Sequence, residues 1–132
     1  MSEMDKIQKI EVAAQAHAHA SHARYSRQEL FSKIGPTGQQ NIRSKHVLMV
    51  GAGALGTANA DMLVRAGIGR LTLVDRDYVD WSNLQRQQLF QESDAAQRCP
   101  KAVAAQRRLK DINSETVIHA HVLDVRVEEL EE

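Results

Sequence analysis

Two short apolar runs, Val47-Leu48-Met49-Val50 and Leu71-Thr72-Leu73-Val74, are separated by a stretch in which Leu55, Ala58, Met62, Leu63 and Ala66 recur at helical spacing. The runs predict strands, and the spacing between them predicts an amphipathic helix that Gly67 ends. Strand, helix, strand is a βαβ unit, and such a parallel sheet is expected to be buried. A helix starting near Lys101 and carrying Val103, Ala104 and Leu109 then leads to a third strand, Thr116 to Val122. The fold class is therefore α/β, three parallel strands with flanking helices. The last strand is expected to lie exposed where further strands would add, leaving an unpaired edge and an apolar face.

Ahead of this unit the pattern weakens. Residues 1 to about 24 are polar and rich in Ala and His, with no large apolar side chain between Val12 and Tyr25. They predict a mobile or helical tail with little packing. His17, His19 and His22 read as a solvated tail: His17 and His19 point to different faces of a helix, and no carboxylate is expected beside them. Ser26 and Glu29 have capping-box spacing, which predicts a short helix starting at Ser26, with Leu30, Phe31 and Ile34 on its apolar face and Gly35-Pro36 at its end. Arg24, Arg27 and Lys33 would by themselves be a solvated face.

Composition narrows the class of partner. Seventeen basic and seventeen acidic residues leave a formal net charge of zero, so there is no overall attraction to nucleic acid or to an anionic membrane. No apolar run approaches the roughly 18 residues of a membrane span, and the chain reads as cytoplasmic. Cys99 is the only cysteine, which excludes an intramolecular disulfide and a cysteine-pair zinc site.

Local chemistry begins at Gly51-Ala52-Gly53-Ala54-Leu55-Gly56, directly after the first strand and at the start of the helix. Gly51 permits a tight turn, Gly53 lets backbone amides approach a phosphate, and Gly56 allows close packing of helix on strand. The exposed amides and the helix dipole favour an anion there. Asp75, at the end of the second strand, is placed to accept hydrogen bonds from ribose hydroxyls. These features make the sheet Rossmann-like, the N-terminal half of a doubly wound fold. The bland alternative is a simple glycine turn, with Asp75 capping the next segment. The fingerprint alone would favour a dinucleotide such as NAD and an oxidoreductase domain, and it does not specify a reaction.

The following segment, Asp75-Arg76-Asp77-Tyr78-Val79-Asp80-Trp81-Ser82-Asn83-Leu84-Gln85-Arg86-Gln87, argues against nicotinamide. Ser82, Asn83, Gln85, Arg86 and Gln87 bring hydrogen-bond donors and one permanent positive charge, and a guanidinium matches phosphate oxygens best. A triphosphate is suggested. Lys101, after Cys99-Pro100, either brings a second cation to the same edge or is an ordinary solvated residue.

Taken together, Arg24-Tyr25-Ser26-Arg27-Gln28, Gly51 to Gly56, Asp75-Arg76-Asp77, Ser82 to Gln87 and Pro100-Lys101-Ala102 resemble the ThiF/MoeB/E1 superfamily of ubiquitin-like-protein-activating enzymes. The resemblance covers residues 24 to about 125. It implies ATP with Mg²⁺, and adenylation of the C-terminal glycine carboxylate of a ubiquitin-like sulfur-carrier protein of the thiamine or molybdopterin type. It further implies Asp75 at the ribose, Asn83 at the sugar-phosphate region, Asp77, Ser82 and Gln85 among the nucleotide-binding residues, Gly53 and Ala54 at the phosphates, and Arg86 and Lys101 as catalytic cations. Arg27 would reach the ATP of the partner subunit in a homodimer.

The chain departs from the family at its C-terminus. After Val127-Glu128-Glu129-Leu130-Glu131-Glu132 it stops, whereas full-length relatives continue to an Mg²⁺-binding aspartate, a carrier groove and, in many cases, a reactive cysteine and zinc-binding cysteines. Asp124 and Cys99 do not match those positions, so no metal ligands are assigned. The expected organisation is a flexible leader over 1–23 and an incomplete ThiF-type nucleotide-binding domain over 24–132. Two function classes follow: the ATP-binding part of an adenylyltransferase, or a non-catalytic nucleotide- or partner-binding remnant. An NAD-dependent oxidoreductase domain is the distant third.

Overall fold

A computed structural model describes residues 2–125, apart from the side chains of His17 and Ser21. The acidic stretch from Val127 onward lies outside the described residues. The chain divides into two compact units, Met1–Gln40 and Asn41–Glu132.

In the first unit, α1 (Glu3–Glu29) is a continuous helix capped by Ser2 and Asp5 in a capping box. The short helix expected to start at Ser26 is therefore not present. Alanine-rich sequence propagates a helix at little cost once its first turn has formed, so α1 runs straight through Ser26. Ser26 Oγ instead donates to the carbonyl of Ala23 at 3.0 Å, a back-bond open to a serine inside a helix. Leu30 caps the end of α1, and Leu30 and Phe31 are exposed instead of forming a buried face. Gly35-Pro36 also reverses its expected role. It opens α2 (Gly35–Arg43), with Gly35 at positive φ and Pro36 in the first turn, where a missing amide costs nothing. Gln28 Nε2 donates to Gln39 Oε1 at 2.5 Å within this unit. His22 does find a carboxylate, with Nδ1 3.4 Å from Glu29 Oε2, contrary to the expectation of none nearby.

The second unit is the predicted α/β half-fold. Its elements run β1 (His46–Val50), α3 (Ala54–Ala66), β2 (Arg70–Val74), α4 (Glu92–Ala96), α5 (Lys101–Ile112) and β3 (Val117–His121). The three strands are all parallel in the order β1-β2-β3, with Val50 opposite Val74 and Val74 opposite His121. One face of the sheet carries Val47, Met49, Leu71, Leu73 and Ile118 into a core with Val64, Ala60, Ala104, Ala105 and Leu109 from α3 and α5. The other face is open at β1, with Leu48 53% and Val50 58% exposed, while Val74 of β2 on that face is buried. Burial on both faces was expected from the apolar runs; the helices supplied by these crossovers cover one face only. An apolar face was expected only beside the last strand, and the edge assignment also changes. Both β1 and β3 are edge strands, and in the doubly wound order further strands join beside β1, not beside β3.

Three polar side chains lock the unit together. Asn113, fully buried, donates from Nδ2 to the carbonyl of Val64 at 2.9 Å and accepts from the amide of Glu115. Thr116 Oγ1 donates to the carbonyl of Ile68 at 2.9 Å. The Asp94 carboxylate, almost wholly buried, caps α4 and accepts from Arg107 Nη2 at 2.5 Å, a contact that raises the affinity of the guanidinium for its proton. Asn113→Ala removes the buried bond to the Val64 carbonyl, which keeps the Gly67 amide at 3.1 Å, and takes away the acceptor of the Glu115 amide; it is expected to cost about 1–3 kcal/mol, read as a lower urea midpoint with an unchanged slope.

Candidate functional site

The site forms at the C-terminal ends of the strands, where an open α/β sheet receives its ligand. Gly51 leaves β1 with φ 99°, a conformation that L side chains rarely adopt, while its amide still donates to the carbonyl of Val74 at 2.8 Å. Gly53 then caps α3 with no side-chain hydrogen bond, and no acidic residue occupies the first turn. The amides at Ala54 and beyond therefore open the helix without a side-chain cap. A Cβ on Gly53 would meet nothing within 4 Å, so the space beside it is open. At Gly56 a Cβ would lie 2.0 Å from the Gly51 carbonyl oxygen, so α3 packs on the turn through bare backbone.

Asp75 is 9% exposed, and both its oxygens are engaged by main chain. Oδ2 accepts from the amide of Ala52 at 2.6 Å, and Oδ1 from the amide of Asp77 at 2.7 Å. The carboxylate thus ties the glycine turn to the loop after β2. A carboxylate offers about four acceptor sites, so two remain beside these bonds. A cavity of about 190 Å³ opens here, lined by Gly51, Asp75, Arg76, Asp77 and Asp124 among others. Asp124 is held by Arg76 Nη1 at 3.0 Å.

Lys101 is not a solvated residue. Its side chain is 9% exposed, its Nζ lies 3.6 Å from Asp77 Oδ2, and its amide donates to the carbonyl of Asp77 at 2.9 Å. The Tyr78–Pro100 bridge and the bond from the Val79 amide to the Cys99 carbonyl fix the same loop to the start of α5. Gly51, Ala52, Asp75, Asp77 and Lys101 are thus brought together.

The segment Ser82 to Gln87 forms its own turn. A 3-10 helix, Trp81–Asn83, is capped by Asp80, whose Oδ1 accepts from the amide and hydroxyl of Ser82. These bonds hold the Asp80 carboxylate below the ordinary aspartate range. Its contribution to the turn is therefore present above that range and is lost as pH falls through the lowered folded-state value. Trp81, the only tryptophan, adjoins Asp80 and should report this as a fluorescence titration with its midpoint below that of an unperturbed aspartate. Asn83 is buried, with Oδ1 accepting from the amide of Asp80. Gln85 Nε2 and Arg86 Nη1 both donate to the carbonyl of Ser82, at 3.0 and 2.9 Å, which groups them with Ser82. Gln87 is 4% exposed, and among the described residues its Oε1 is a buried oxygen with no hydrogen-bond partner. Arg27 is exposed in the last turn of α1, in the first unit. Cys99 is partly buried against the core, with its Sγ 3.8 Å from Arg107 Nη2.

A parallel sheet, a glycine turn leading into an uncapped helix N-terminus and an acid at the end of the neighbouring strand define a Rossmann-like α/β domain of the nucleotide-binding type. The chain belongs to the ThiF family, whose model matches residues 25–132. It is 56% identical over 107 residues to the sulfur carrier protein ThiS adenylyltransferase of Bacillus subtilis, an alignment covering 81% of this chain and 32% of that protein. Over 98 residues it is 41% identical to the sulfur carrier protein adenylyltransferase of Thermus thermophilus, covering 74% and 35%. The crystal structure of E. coli MccB with ATP superposes with a TM-score of 0.74 at 30% identity, covering 82% of this chain and 33% of that one. The chain thus spans about a third of the length of each of these relatives. No helix among the described residues is long and apolar enough to cross a membrane.

Proposed function

We propose that this chain carries the ATP-binding part of an enzyme that adenylates the C-terminal glycine carboxylate of a ubiquitin-like sulfur-carrier protein. The observation that carries the reading is the cluster of the Gly51 to Gly56 turn, Asp75 and the buried Lys101 at the C-terminal ends of the strands, within a family whose relatives include sulfur-carrier adenylyltransferases and a structure solved with ATP. The amides that open α3 receive phosphate oxygens, and Asp75 accepts from the ribose with the lone pairs its two amide bonds leave. Lys101 and Arg86 offset the charge that builds on the α-phosphate as the carrier carboxylate attacks and pyrophosphate leaves. Arg27 completes the site from a partner subunit of a homodimer.

Mg²⁺ and zinc enter only through the resemblance. Among the described residues no group of three or more His, Cys, Asp or Glu is placed to hold a metal ion, and no step is assigned to one. ThiS is the favoured carrier type, since the ThiS enzyme shares 56% identity with this chain.

ATP–pyrophosphate exchange, measured with a carrier ending in Gly-Gly, tests the reading. Carrier-dependent exchange is the expected result if the chain turns over alone. Saturable ATP binding without exchange would leave the ATP-binding part and remove independent catalysis, which favours the remnant reading. Binding of NAD in place of ATP would sink both.

A further inference from the structure

Resting on the reading that this edge binds ATP, we propose that Asp77 is a positioning residue: its carboxylate holds the Lys101 ammonium in place for the phosphates and does not itself bind the nucleotide. An ammonium as buried as that of Lys101 needs a counter-charge, because leaving it unpaired carries the full desolvation cost. Asp77 Oδ2, at 3.6 Å, supplies that charge.

The main chain of the same two residues is also joined, the Lys101 amide donating to the Asp77 carbonyl at 2.9 Å. The Asp77 amide in turn donates to Asp75 Oδ1 at 2.7 Å, and Asp75 Oδ2 accepts from the Ala52 amide at 2.6 Å. A continuous path therefore runs from the lysine through Asp77 and Asp75 to the glycine turn. Asp77 itself is poorly suited to touch a polyphosphate, since its own charge would repel one. It is well suited to hold a cation, because its side chain stays 59% exposed and keeps its hydration. At 3.6 Å the contact is an ion pair longer than a good hydrogen bond, so the ammonium is free to turn toward an arriving phosphate.

Asp77→Asn removes the charge and keeps both main-chain bonds, so a double-mutant cycle with Lys101→Gln isolates the pair. In calorimetric titrations of the 132-residue chain with Mg·ATP, Asp77→Asn is expected to weaken binding about tenfold, and less than about twofold when Lys101 is already Gln. Asp77→Glu is expected to restore affinity to within about threefold of the wild type, since it returns the charge. An equal loss in the Lys101→Gln background, or tighter binding by Asp77→Asn alone, would overturn the proposal. Thermal melts of each variant identify any that fails to fold, and if Asp77→Asn does, Asp77→Ser completes the same cycle. Failure of the wild type to bind ATP overturns the functional reading and this proposal together. Wild-type binding with additive losses overturns only the proposal.

Discussion

Gly56→Ala is expected to destabilise the second unit by about 3 kcal/mol or more, the upper end of the cost of forcing atoms into a packed interior. The added Cβ would sit 2.0 Å from the carbonyl oxygen and 2.9 Å from the carbonyl carbon of Gly51. Both are backbone atoms with no rotamer to change. Relief requires α3 to move away from the turn, and α3 carries Ala60 and Val64 into the core. Under the proposed function, the same movement would also draw the α3 amides away from the phosphates and weaken ATP binding. Urea unfolding followed by far-ultraviolet circular dichroism measures the effect. A loss below about 1 kcal/mol would mean that the turn yields easily and that the close approach is not what glycine serves here.

Asp75→Ala is expected to have the second-largest effect, felt in both stability and binding. Two charge-assisted bonds to main-chain amides are lost, a buried one to Ala52 and a part-buried one to Asp77, for a combined cost of about 3 kcal/mol. Under the proposed function, ATP affinity should fall about 100-fold, since the ribose loses its acceptor and the glycine turn loses its tether. Asp75→Asn keeps one acceptor oxygen and should fall between the wild type and Ala. If ATP binds Asp75→Ala as tightly as the wild type, Asp75 only braces the two loops.

Much of the site was legible because its parts are local. Gly51 to Gly56 lie between a strand and a helix whose periods differ, and Asp75 ends the next apolar run, so short-range pattern was enough to place them. The segment from Ser82 to Gln87 was legible as a set of residue types but not as an arrangement. Gln85 and Arg86 fold back on the Ser82 carbonyl, and this follows from a turn capped by Asp80 that the sequence reading did not identify. At Ser26 local pattern misled, because a capping box and a helix interior can share the same letters. The alanine-rich stretch before it decides which one forms.

The sequence by itself determined the three strands, α3 and α5 of the α/β unit, the glycine turn and the acid beside it, because these depend on periodicity and on residues a few positions apart; the short α4 was not legible in this way. Only the tertiary structure decided the burial of Lys101 against Asp77, the tie from Asp75 to Ala52, the Asp94–Arg107 pair and the closure by Asn113. It also decided that β2 is central and that β1 and β3 are both edges. Each of these joins residues brought together only when the crossovers close the sheet. Whether a charge or an amide is solvated or paired is then set by what packs beside it.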